Sequence, residues 1–312
     1  MRVLVTGGAG FIGSHLADAF LARGDDVTVA DDLSAGRAGR LTRRVGLHKV
    51  SICDRAALSA LVSGAAPHLI CHLAAQIDVR SSVTAPAHDA EVNVIGTVNV
   101  LEAARAAEAR VLFASSGGAL CGRDAPIPFP ENVLPLPESP YGVAKYCAEQ
   151  YLGLYNRLHD TRHSALRLAN VYGPRQDPGG DAGVIPIFCA AALAGRELTV
   201  YGDGTQTRDY VYVGDVVRAF LAAADADRPG IWNIGTGTEN SVLDLVQVIG
   251  GIAGRRLEPR LCPPRPGELA RSVLDVSQAS RELGWRASAS LAQGIGAVYR
   301  WIEAGASDRA PS

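Results

Sequence analysis

The sequence predicts an α/β protein built on a doubly wound parallel sheet, and three observations predict it. Apolar strand-like runs alternate with helical stretches over the first 170 or so residues. A glycine-rich loop, Gly7-Gly8-Ala9-Gly10-Phe11-Ile12-Gly13, joins the first strand to the first helix. An acid, Asp31, closes the second strand 18 residues beyond Gly13.

The elements follow in order. Residues 2–6 form a short apolar strand and residues 11–23 an amphipathic helix stopped by Gly24. Residues 26–30 are the second strand, and further apolar runs at 68–73, 111–115 and 165–168 supply the next ones. Between them, 56–63, 91–107 and 141–158 have helical spacing. The texture changes after Asn170, where 173–183 is rich in Gly, Pro and Asp. Helices are expected at 186–194 and 213–224, flanked by strands at 198–201 and 231–234. Residues 1–170 are therefore expected to form a Rossmann-type domain, joined by a returning strand near 231–237. Residues 171–312 are expected to form a smaller α/β substrate-binding domain over the carboxyl ends of the sheet.

Composition narrows the function classes. The net charge is −2 with no basic block, which argues against nucleic acid or a lipid surface as partner. No apolar run approaches the ~18 residues a membrane helix needs. Six cysteines show no C-x-x-C and no short Cys/His spacing, so neither a metal site nor a disulfide framework is expected. The first residues enter a strand and a glycine loop at once, so a signal peptide is not expected and a cytoplasmic location is.

The glycine loop has a chemical meaning. Its glycines let the backbone approach a pyrophosphate, whose charge meets the amides and dipole of the helix N-terminus. Asp31 stands where a ribose-binding carboxylate belongs and would repel a 2′-phosphate, so NAD is favoured over NADP. A glycine turn of an unrelated α/β fold is the plainer alternative.

Tyr141-Gly142-Val143-Ala144-Lys145 puts a phenol and an ammonium one helical turn apart. A phenol with pKa ≈ 10 is a poor base at neutral pH. A nearby ammonium stabilises the phenolate and makes proton transfer feasible. The chain carries 30 basic residues, yet only Lys49 and Lys145 are lysines. Lysine's compact head suits this task where arginine's planar fork does not. Ser115 and Ser116 end a strand, and a hydroxyl there could hold the substrate oxygen that Tyr141 deprotonates; a serine capping a turn is the plainer alternative. Chance alone often produces Y-x-x-x-K, so the pair takes its weight from the loop and serines around it.

These residues resemble the extended short-chain dehydrogenase/reductases of the NAD-dependent epimerase/dehydratase family, most closely their UDP-galactose (UDP-glucose) 4-epimerase group. The resemblance rests on V-T-G-G-A-G-F-I-G-S-H-L at 5–16, H-L-A-A-Q at 72–76 and N-V-I-G-T at 93–97. It continues through S-P-Y-G-V-A-K at 139–145, L-R-L-A-N-V-Y-G-P at 166–174 and Y-G-D-G-T-Q-T-R-D-Y-V-Y-V-G-D at 201–215. N-I-G-T-G at 233–237 and R-P-G-E at 265–268 complete it. It implies that Tyr141 is the acid/base, Ser116 its partner on the sugar 4-oxygen, and Lys145 the residue that binds cofactor and tunes Tyr141. NAD would be held by Gly7, Gly10, Phe11, Ile12, Gly13, Asp31, Ile52, Leu73, Ala74 and Asn93, together with Tyr141 and Lys145. The UDP-sugar would meet Ser116, Tyr141, Asn170, Val184, Tyr201, Arg208, Arg265 and Glu268. Two arginines converging on a diphosphate also make sense as charge-assisted donors. A homodimer is implied as well.

The chain departs from the pattern in places. Ser51 stands where the family usually has an acid beside the adenine, and Asp54 looks like a helix cap. Gly117-Gly118 precede Leu120-Cys121-Gly122 in place of the usual V-Y-G, and Leu168-Ala169 replace two aromatics, so a roomier pocket is expected. Gly117, Gly118 and Ala119 put no carboxylate after Ser116, whereas dehydrating and decarboxylating relatives need one there. Epimerisation at C4 through a 4-keto sugar needs none. UDP-glucose/UDP-galactose is the expected pair. UDP-glucuronate is an alternative because Gly117-Gly118 would leave space, and UDP-N-acetylglucosamine another because Ser272 is small. A nucleotide-sugar dehydratase or decarboxylase is the remaining alternative.

Overall fold

Seven parallel strands form the main sheet of the computed structural model, which describes residues 1–179, 183–264 and 269–307. In chain order come β1 (Arg2–Thr6), β2 (Asp26–Asp31), β3 (Gly46–Lys49), β4 (Leu69–His72), β5 (Arg110–Ser116) and β6 (Ser164–Leu168). Four short strands follow outside that sheet: β7 (Asn170–Tyr172), β8 (Thr199–Tyr201), β9 (Thr207–Arg208) and β10 (Tyr210–Tyr212). The chain then returns as β11 (Ile231–Ile234), paired with β6 from Ile231↔Ala165 to Ile234↔Leu168. The spatial order is β11-β6-β5-β4-β1-β2-β3. The chain runs outward from β1 to β3 and then crosses back to β4, so a ligand crevice is expected above the carboxyl ends of β1 and β4.

Helices cover both faces: α1 (Phe11–Arg23), α2 (Arg55–Ala65), α3 (Val79–Thr84), α4 (Pro86–Ala90), α5 (Gly96–Ala106), α6 (Gly117–Leu120) and α7 (Pro140–His159). Local chemistry sets their ends. Gly24 stops α1 in the left-handed region at φ 91°, a conformation that costs glycine little. Ser139 caps α7 by accepting from the Gly142 amide, with Pro140 in the first turn. The helix expected over 91–107 begins as a π-helical turn, Glu91–Ile95, and becomes α-helical only at Gly96. Strand β3 is an edge element with little apolar pattern, which is why the sequence does not announce it.

Beyond β6 the chain adds α8 (Val184–Leu193) and α9 (Val213–Asp225). After β11 come β12 (Asn240–Ser241), α10 (Val242–Ile252), β13 (Arg260–Cys262), β14 (Arg271–Ser272), α11 (Ser277–Leu283) and α12 (Leu291–Ser307). Helices α8, α10 and α12 share an apolar core that includes Phe188, Leu245, Ile249 and Ile295. Helix α9 instead packs beside α1, placing Val216 and Phe220 in the core of the large sheet with Trp232 and Trp285. More than the strand at 231–234 thus returns to the sheet from the second half of the chain. Among the described residues, no helix is long and apolar enough to cross a membrane, and no three potential metal ligands cluster.

A buried ionic network ties together the elements that carry the candidate site. Ser115 Oγ on β5 donates to Glu149 Oε1 on α7 at 2.6 Å. Arg167 on β6 donates to the same carboxylate through Nη2 (2.7 Å) and Nε (3.0 Å). Both members of the ion pair are almost wholly shielded from solvent. Such a pair adds little net stability, but removing one member strands the other charge in low dielectric. Glu149→Ala is therefore expected to lower the unfolding free energy by about 3–5 kcal/mol in urea titrations. A loss below about 1 kcal/mol would contradict the buried pairing.

Candidate active site

At Gly7 and Gly13 the glycine loop closes on backbone. Gly7 has φ +68°, and a Cβ there would lie 2.6 Å from the Ala74 nitrogen and 2.9 Å from the Leu73 carbonyl carbon. A Cβ on Gly13 would lie 2.2 Å from the Gly7 oxygen. Gly10 is the N-cap of α1 and no side chain caps that helix, so the amides at Phe11 and Ile12 remain for another acceptor. Asp31, at the end of β2, is buried; its Oδ2 accepts from the Ala9 amide and its Oδ1 from the Leu33 amide, both at 2.9 Å.

Three arginines gather here that the sequence did not single out. The Arg37 amide and Arg40 Nη1 both donate to the Ala9 carbonyl, at 2.9 and 3.4 Å. Arg175, held at φ +68°, donates Nη2 to Asp18 at 2.7 Å, while its Nη1 is buried with no hydrogen-bond partner among the described residues. In a chain so rich in arginine, nothing local marks which ones converge.

On the other flank, Leu73 and Ala74 are fixed by Thr6, through its carbonyl (3.1 Å) and hydroxyl (3.3 Å). Asn93 is buried and its amide is committed: Oδ1 accepts from the Gln76 amide, and Nδ2 donates to the Gln76 carbonyl and to Asp89. Asn93, expected on the cofactor side, spends its amide donors on shaping the segment after Ala74. Ile52 belongs to the core beneath α5, where a Cβ on Gly96 would meet it at 2.6 Å, and its carbonyl accepts from Asn99. Asp54 caps α2 through the Ala57 amide, as the sequence suggested.

Tyr141 and Lys145 face β5 from the first two turns of α7. The half-buried Tyr141 phenol lies beside Ser116, whose hydroxyl accepts from the Ala119 amide at the start of α6. Lys145 is 3% exposed; its Nζ donates to the Ala114 carbonyl at 3.0 Å and sits 4.6 Å above the Phe113 ring. Burial pulls this ammonium down to about 8, against the opposing pull of Asp89 and then Glu149. Burial pushes the Tyr141 phenol up to about 12, with the Ser116 hydrogen bond working against it and Asp89 with it. The ammonium of Lys145 stands over the phenol ring and bonds elsewhere. Its Nζ lies 5.7 Å from the Tyr141 ring centroid, directed to Ala114, and desolvation dominates the phenol.

The presumed sugar side needs one correction. Gly117 leaves no space, since a Cβ there would meet the Leu274 methyls at 2.5 Å. Only Gly118 opens, toward Ser272 Oγ at 3.4 Å and Asn170 Oδ1 at 3.9 Å from its Cβ position. Arg208 lies beside Ser272 in the β9–β14 register and donates Nη1 to the Thr207 carbonyl. The structure thus brings Gly118, Asn170, Ser272 and Arg208 to one neighbourhood. Tyr201 ends β8 partly exposed and Val184 opens α8. Arg265 and Glu268 lie outside the described residues.

Residues 3–235 match the model of the NAD dependent epimerase/dehydratase family. The chain belongs to that family. It is 48% identical over 302 residues to a UDP-glucose 4-epimerase of Mycolicibacterium smegmatis, covering 95% of this chain and 96% of that protein. Among solved structures it is similar to the Thermotoga maritima UDP-glucose 4-epimerase with UDP-glucose (TM-score 0.96, 42% identity, 98% of this chain and 100% of that one). The Thermus thermophilus UDP-glucose 4-epimerase in complex with NAD gives a TM-score of 0.91 at 40% identity, over 97% and 99% of the two chains.

The family's dinucleotide can be tested against the residues present, and they fit it. The space at Gly7 and Gly13 admits only backbone, no side chain caps the first amides of α1, and Arg175 Nη1 is a buried donor with no acceptor among the described residues. Gly7→Ala should therefore lower NAD affinity at least tenfold in calorimetric titration, since it needs both a positive φ and displacement of Ala74. Wild-type affinity in that variant would show that the loop does not cradle the dinucleotide.

Proposed function

We propose that this chain is an NAD-dependent UDP-sugar 4-epimerase, with UDP-glucose and UDP-galactose as its substrate pair. The observation that carries the reading is the placement of Tyr141 beside Ser116 at the end of β5, with Lys145 buried one turn on against Ala114 and no carboxylate in 117–119. In this reading Gly7, Gly10, Phe11, Ile12, Gly13, Asp31, Ile52, Leu73, Ala74 and Asn93 hold the dinucleotide, together with Tyr141 and Lys145. When bound, NAD supplies the acceptor and donor of the hydride at C4, together with a positive charge that favours the phenolate. Tyr141 takes the proton of the 4-hydroxyl and returns one to the same oxygen after C4 has inverted. Ser116 holds that oxygen, and Lys145 holds the phenol's surroundings in order.

The 4-keto sugar must turn between the two halves of the reaction, so tight contacts to its ring would trap one face. Binding energy is accordingly assigned to the uridine and diphosphate, through Asn170, Val184, Tyr201, Arg208, Arg265 and Glu268 in the unit 171–312. A second substrate, UDP-N-acetylglucosamine, is favoured by one observation: Ser272 is small and buried directly beside Gly118. A homodimer and a cytoplasmic setting complete the proposal. Exposed Val143, Leu154 and Leu158 form a stripe on α7 with Ile95 nearby, a surface suited to a second copy, and the six unpaired cysteines suit a reducing compartment.

Incubation with separate UDP-sugars and chromatography of the products tests the reading. UDP-glucose should convert to UDP-galactose without net NADH. Tyr141→Phe should keep NAD and UDP binding while kcat falls roughly 10²-fold or more. Near-normal kcat in that variant would sink the assignment.

A further inference from the structure

Asp89 is a buried carboxylate that none of the steps above uses. It lies on α4, which packs against α7, and it is 1% exposed. Its Oδ1 accepts from Asn93 Nδ2 at 3.0 Å and Gln76 Nε2 at 2.9 Å. Its Oδ2 has no hydrogen-bond partner among the described residues. A buried carboxylate oxygen without a donor is costly unless another charge compensates it.

Arg80 on α3, which also packs against α4, is solvent-exposed, and the remaining charged groups leave one buried cation. Glu149 is committed to Arg167 and Ser115. His72 is buried and kept neutral, lowered to about 3 by burial and then by Lys145. His88, next to Asp89 on α4, is solvent-exposed and faces Glu91. Tyr141 is a neutral phenol at ordinary pH. Lys145 is the buried cation, and its hydrogen bond goes to the neutral Ala114 carbonyl. We propose that Asp89 is the counter-charge of Lys145, a positioning residue that keeps this lysine an ammonium ion at neutral pH. The inference rests on the role given above to Tyr141 and Lys145.

Burial raises the Asp89 carboxyl, with Asn93, Gln76 and then Lys145 working against it. Burial lowers Lys145 to about 8, and Asp89 is the foremost group opposing it, ahead of Glu149. Removing the Asp89 charge leaves burial less opposed, so the ammonium is lost at lower pH. The same change removes a charge that raises Tyr141. Both ionisations should therefore move down together. A purely structural role would lower turnover and leave the pH limbs where they are.

The chain makes the test direct, because its two lysines are the buried Lys145 and the exposed Lys49. Lysine-selective NMR of the full-length protein reads each titration separately. Asp89→Asn is expected to lower the Lys145 midpoint by roughly one pH unit or more, leaving Lys49 unmoved. The alkaline limb of kcat should shift with it, and Asp89→Glu should bring the midpoint back toward wild type. Should Asp89→Asn fail to fold, Asp89→Ser removes the same charge and is read in the same way. An unchanged Lys145 midpoint in a folded, uncharged variant overturns the proposal. A lowered midpoint with an unmoved kcat limb supports the pairing and counts instead against the catalytic role of Lys145.

Discussion

Burying the Lys145 ammonium against β5 is the constraint that the rest of the candidate site depends on. Taking such a charge out of water costs several kcal/mol unless polar groups meet it. Here the Ala114 carbonyl and the face of Phe113 meet it, and the charges of Asp89 and Glu149 favour it from further off. That compensation exists at one rotation of α7 only. Once Lys145 is fixed, the residue one turn earlier, Tyr141, reaches Ser116. The residue one turn later, Glu149, reaches Ser115 and Arg167. Three successive turns of one helix thus lock onto the ends of two neighbouring strands. The first of these turns carries Tyr141, and the other two hold it in place.

The dinucleotide side is organised by the opposite device, removal of side chains. Gly7 and Gly13 let β1, α1 and the segment after β4 approach so closely that a single Cβ would collide with backbone. Asp31 then stitches the loop to the end of β2 through the Ala9 amide. Crowding around the loop and charge around Lys145 meet at the carboxyl edge of the sheet, where strand order turns back on itself.

How much of this was legible in the sequence follows from how local each cause is. The glycine loop, Asp31 and the Tyr/Lys pair were visible because each needs a particular residue type at a fixed spacing. The strand at 231–234 was visible as an apolar run, and the structure places it on β6. Edge strand β3 and the π turn at 91–95 were not visible, since one has little pattern and the other is set by packing. Lysine scarcity pointed to Lys145 but could not show that its Nζ turns toward Ala114 and not the phenol. Space at Gly117 looked open because Leu274, far along the chain, fills it only in three dimensions. Asp89 and the trio Arg37, Arg40 and Arg175 were hidden for the same reason: each matters through a partner distant in sequence.

In the proposed reaction C4 is oxidised and re-reduced within one site, with Tyr141 handling only the oxygen's proton. UDP-glucose carrying deuterium at C4, incubated with the protein in ordinary water, measures this directly. The UDP-galactose formed should keep its deuterium at C4. Replacement of that deuterium by solvent protium would contradict the proposed reaction.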